Sequence, residues 1–131
     1  MNEYSAMNYS AMNISELKKP QLIWPAIIHY HGQAELAFIA DQLAWEKGQY
    51  LQAVRYHPSD ALIDAEGCLY QILTNADGSV SLQRLNEKAS LQEVIEMIRA
   101  HAAELGACCV AKFSATSIQE AINTMANSAD G

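Results

Sequence analysis

Apolar and polar positions along the chain fall first into short extended blocks and then into longer helical ones. Residues 22–31 (Leu-Ile-Trp-Pro-Ala-Ile-Ile-His-Tyr-His) are rich in β-branched and aromatic side chains and stop at Gly32, the pattern of a first strand. Pro25 has no N–H to give to a ladder, so it belongs near the start of that strand or on an edge. Residues 35–41 fit two periods: Leu36, Ile39, Ala40 and Leu43 keep helical spacing, while Leu36, Phe38 and Ala40 alternate. Strand is the reading taken. In residues 45–57 the apolar positions Tyr50, Leu51, Val54 and Tyr56 follow neither period, which leaves irregular or short extended structure as the expectation.

Residues 61–64 and 68–73 are two apolar runs around Ala65, Glu66 and Gly67, which predicts a hairpin. A second turn at residues 75–78 (Asn-Ala-Asp-Gly) precedes an alternating stretch from Val80 to Leu85, so the middle of the chain reads as an antiparallel meander. Ser90 and Glu93 then form a capping box ahead of Leu91, Val94, Ile95, Ile98, Ala102 and Leu105 at i, i+3, i+4 spacing, with Gly106 as the stop. Residues 108–113 suggest a short strand. Ser117 and Glu120 make a second capping box before Ile118, Ala121, Ile122 and Met125, and residues 127–131 are expected to fray.

Strands followed by helix, strand and helix predict an α+β fold: a mainly antiparallel sheet with two C-terminal helices packed on one face. The first residues contain a direct repeat, Tyr-Ser-Ala-Met-Asn at 4–8 and again at 9–13, too polar to repay its ordering entropy. The expected organisation is therefore a disordered lead at 1–20, one α+β domain at 21–127 and a frayed tail at 128–131. Trp24, Pro25 and Ala26, Glu35 and Leu36, Trp45, Leu62, Ile63 and Asp64 followed by Gly67, and Cys108 with Cys109 resemble a bacterial family of short α+β proteins of unknown function. The resemblance spans roughly residues 22–127 and implies no activity, because the family has none assigned.

Composition narrows the partners more than the chemistry. Fifteen acidic residues stand against 8 basic ones, a formal charge of −7, and Lys18 and Lys19 are the only adjacent basic pair. Gripping phosphates requires clustered cations, so neither nucleic acid nor an anionic membrane surface is expected as a partner. No stretch approaches the about 20 apolar residues of a spanning helix, and no basic and apolar leader opens the sequence. With an odd number of cysteines, Cys68, Cys108 and Cys109, this points to reduced thiols and a cytoplasmic location.

Candidate chemistry is sparse. On a strand, His29 and His31 project from one face, as two metal ligands must, and Glu35 lies four residues further on, a spacing that resembles the first half of the cupin metal motif. The flanking glycines and second half of that motif are missing, and His57 or His101 has to complete such a site. The favoured reading has both histidines on the solvated face of an edge strand, with His29, His31 and Glu35 as the alternative metal set. Cys108 and Cys109, facing opposite ways on a strand, are expected to be packed as small hydrophobes, and Cys68 likewise. The two Asp- and Gly-containing turns do not fit a calcium loop: with Gly67 at position six the first and twelfth positions are Leu62 and Leu73, and with Gly78 they are Leu73 and Arg84.

No phosphate loop, nucleophile elbow or zinc-protease pair occurs, and no cofactor is expected. The favoured function is a small non-enzymatic binding or accessory domain with a protein partner. Trp24, Tyr30, Trp45, Tyr50 and Tyr56 are expected in the core or on sheet faces first, and as contact anchors where exposed. A metal-dependent small-molecule enzyme or sensor built on His29, His31 and Glu35 is the alternative.

Overall fold

β1 (Ala26–His29) begins immediately after Pro25, the position that costs no ladder hydrogen bond. It lies between β2 (Leu36–Ile39) and β3 (Ala61–Ile63), antiparallel to both, with His29 opposite Leu36 on one side and Ala61 on the other. β4 (Cys68–Thr74) and β5 (Val80–Lys88) extend the meander, giving one five-stranded antiparallel sheet in the order β2, β1, β3, β4, β5. The computed structural model describes residues 21–51 and 56–130. The expected disordered lead at 1–20 lies outside the described residues, as do Val54 and the side chains of Tyr50 and Leu51.

The period of two divides the apolar residues between the sheet faces. Ile27, Leu36 and Ile63 meet Val94, Ile98, Ala121, Ile122 and Met125 of the two C-terminal helices, α2 (Leu91–Glu104) and α3 (Ile118–Asp130). Ala26, Ile28, Leu62, Tyr70 and Ile72 form a second cluster on the opposite face. Trp24 and Trp45 close over that cluster, Trp45 coming from an additional helix, α1 (Gln42–Leu51). The α+β architecture expected from the element order is the one observed, with strand over Leu36–Ile39 and helices α2 and α3 on one face.

Four local expectations are corrected. Residues 45–51, expected to be irregular or short extended, belong to helix α1 instead: the Asp41 carboxylate caps its first turn by accepting the Ala44 N–H at 2.8 Å. Residues 108–113 contain a 3₁₀ turn at Val110–Lys112 instead of a strand, because Cys109 takes a left-handed backbone and Arg99 holds the Phe113 carbonyl from Nε and Nη2 at 3.1 and 2.7 Å. Leu105 is 61% exposed and occupies the C-cap of α2, past the last residue whose direction the helical period controls. α3 continues to Asp130, beyond the Asn127 end read from sequence.

The hairpin between β3 and β4 is tied to everything around it. Asp64 is buried, and its Oδ1 accepts the N–H groups of Glu66 and Cys68 at 2.9 and 3.0 Å while Oδ2 faces the Ile23 N–H and Tyr70 hydroxyl. Gly67, at φ +88°, lets the segment before α2 and the start of α3 approach closely: a Cβ there meets Ala89 O at 2.6 Å and Ile118 Cδ1 at 2.8 Å. Among the described residues, no helix is long and apolar enough to cross a membrane.

Candidate functional site

Because β1 and β3 are antiparallel neighbours, the chain leaving β1 runs beside the chain approaching β3. This brings Tyr30 and His31 against Tyr56 and His57, two copies of the same dipeptide. The phenol rings of Tyr30 and Tyr56 are parallel within 6° with centroids 6.4 Å apart. The imidazoles of His31 and His57 are closer, 3.9 Å apart and within 3° of parallel.

Asp60 ties the two segments together. It is buried, and each carboxylate oxygen accepts one backbone N–H: His31 N–H to Oδ1 at 2.7 Å and His57 N–H to Oδ2 at 2.8 Å. Charge-assisted bonds of this kind are stronger than neutral ones and satisfy a carboxylate that burial otherwise penalises. The Asp60 N–H closes the loop on the His57 carbonyl at 2.9 Å, and Gln33 N–H does the same for Tyr30 at 3.1 Å. Ser59 N–H donates to His57 Nδ1 at 2.9 Å, so in the neutral imidazole the proton sits on Nε2 as an outward donor.

Both phenols are harder to ionise than a free tyrosine. Burial, followed by the Asp60 charge, raises the Tyr30 phenol above its ordinary 10.0. Burial, then Tyr30 and Asp60, push Tyr56 up to about 12. Both rings pack partly on the cluster around Trp45 and Tyr70, while His31 and His57 are exposed. The outcome is two parallel pairs on adjacent chain segments, the tyrosines half-buried against the core and the stacked imidazoles exposed.

The residues singled out from sequence are dispersed. His29 ends β1, half-buried on the face that carries Ile27, whereas His31 lies past the strand in the turn at Gly32, so the two do not share a strand face. Glu35 is exposed just before β2. His101 accepts the Leu36 N–H at Nδ1 (2.9 Å) and pins α2 to the start of β2. Among the described residues, no group of three or more His, Cys, Asp or Glu side chains is placed to hold a metal ion. Cys68 is buried as expected, with Arg84 Nη2 3.2 Å from its sulfur. Cys108 and Cys109 are both exposed, contrary to the expected packing, because the residues are in a turn and not in a strand. What sequence reading missed is the repeated Tyr-His dipeptide with Asp60 three residues after its second copy.

Sheet order, helix placement and the hairpin around Asp64 define a small α+β domain. Residues 24–125 match the DUF4144 family, described as protein structure with unknown function, and the chain belongs to that family. It is similar to the protein from Shewanella amazonensis solved by NMR, at 27% identity and a TM-score of 0.64, over 86% of this chain and 93% of that one. No curated protein matches the chain.

Proposed function

We propose that the chain is a non-enzymatic binding or accessory domain whose contact surface is formed by Tyr30, His31, Tyr56 and His57. The observation that supports this most is the paired stack itself: two exposed imidazoles lie face to face, next in the chain to a half-buried tyrosine pair, and both histidine backbones are held by Asp60. Rigid aromatic side chains lose little entropy on binding, which is why they anchor protein contacts. The outward His57 Nε2–H suits a hydrogen-bond acceptor on the partner, and the open ring faces suit an aromatic side chain. A protein partner fits this chemistry, whereas a net charge of −7 opposes nucleic acid. Three unpaired thiols support a cytoplasmic location.

Selection of peptides from a displayed random library tests the proposal. Peptides recovered on the wild type are expected to lose about tenfold or more in affinity for the His31→Ala, His57→Ala double variant, the loss of a contact of about 1.4 kcal/mol. Peptides that bind both proteins equally would contradict it.

A further inference from the structure

Cys108 and Cys109 are adjacent and exposed in the turn between α2 and the 3₁₀ turn at Val110–Lys112. On an extended strand neighbouring side chains point to opposite sides. Here Cys109 has φ 63° and ψ 26°, the only positive φ of a non-glycine residue among those described. That left-handed backbone takes the pair out of the extended geometry that would set the two side chains on opposite sides, and the neighbouring Cys108 side chain raises the Cys109 thiol above its ordinary value. Arg99, clamped on the Phe113 carbonyl, anchors the far end of the segment to α2.

We propose that Cys108 and Cys109 form a vicinal dithiol site for a trivalent, thiophilic metalloid, with trivalent arsenic as the ligand class. A zinc site requires three or four protein ligands. An organic arsenical requires two, because its third bond is to its own carbon. The reaction balances without an oxidant: phenylarsine oxide and two thiols form two As–S bonds, the As–O bond breaks, and both thiol protons leave with the oxygen as one water. Arsenic stays trivalent and no electrons are transferred. Cys68 does not compete, since it is buried and sits on β4, in the cluster on the sheet face opposite α2 and α3.

Phenylarsine oxide is the probe, and native intact-mass spectrometry of the full chain the measurement. One phenylarsenic per chain is expected, surviving excess mercaptoethanol and removed by an added dithiol, because only a two-thiol chelate resists exchange with a monothiol. Cys108→Ser and Cys109→Ser should each abolish the monothiol-resistant adduct. Both positions are exposed, and unchanged melting curves would show that the variants fold. Absence of a resistant adduct on the wild type, or its persistence in either serine variant, would overturn the proposal.

Discussion

The imidazole rings of His31 and His57 lie face to face at 3.9 Å, yet neither histidine belongs to a strand. What aligns them is Asp60, whose two oxygens take one backbone N–H from each. Asp60→Ala should therefore cost about 2 kcal/mol, the scale of leaving partly buried donors unsatisfied. Urea unfolding measures the loss. The same substitution should shift the imidazole proton resonances of His31 and His57, because the ring stack depends on the paired backbones. A neutral variant with unshifted rings would remove Asp60 from its supporting role.

Alkaline pH should weaken the fold through its buried phenols. Tyr56 and Tyr70 are raised from 10.0 to about 12, in both cases mainly by burial, with the neighbouring Asp60 or Asp64 adding to it. A phenol whose value is higher folded than unfolded keeps its full stabilising effect below pH 10 and loses it as pH rises towards about 12, because the unfolded chain gives up its protons first. Unfolding free energy measured against pH should fall across that window. Tyr70→Phe should flatten the slope, and an unchanged slope would contradict the assignment.

Gly67→Ala should be among the most damaging small substitutions, at about 2 kcal/mol or more, because a left-handed backbone and a blocked Cβ position coincide. The new Cβ meets a backbone oxygen, Ala89 O at 2.6 Å, which cannot rotate away as a side chain can. Thermal melting of this variant beside Gly78→Ala separates the two causes. Gly78 shares the positive φ, at 89°, but has nothing within 4 Å of its Cβ position, and should lose less.

Three substitutions, one inside α2 and one at each of its caps, grade its contributions. Ile98→Ala removes a side chain buried against β1 and α3 and should cost about 2–4 kcal/mol. Ser90→Ala deletes the cap that accepts the Glu93 N–H at 3.1 Å and should cost about 1 kcal/mol. Leu105→Ala should stay within about 0.5 kcal/mol, because the side chain is 61% exposed. Chemical denaturation of the three gives the order directly.

The parts of the fold legible in the sequence are those decided by neighbours in the chain. Ser90 and Glu93 announce α2 because both capping bonds close within one turn, and Asp64 with Gly67 announces the hairpin because the turn satisfies itself. α1 was hidden because Trp45 points inward while Leu43, two residues earlier, is 57% exposed, so no apolar stripe forms. The turn at Val110–Lys112 was hidden because Arg99 fixes it through the Phe113 carbonyl, 14 positions away. The site is a case of the same limit. His31 stood out in the sequence, but its companions Tyr56, His57 and Asp60 reach it through the pairing of β1 with β3, and Asp60 lies 29 positions away. His29 and Glu35, close in sequence, go elsewhere.

Amide chemical-shift mapping tests the proposed contact surface most directly. An ¹⁵N-labelled sample is titrated with a peptide selected on the wild type, and the perturbed amides are placed on the fold. The expected result is a cluster at Tyr30, His31, Tyr56, His57 and Asp60, saturating with one affinity and absent in the His31→Ala, His57→Ala variant. Perturbations confined to the outer edge of β5 or to α2 and α3, with those five amides unmoved, would contradict the assignment of the paired tyrosine and histidine rings as the binding face.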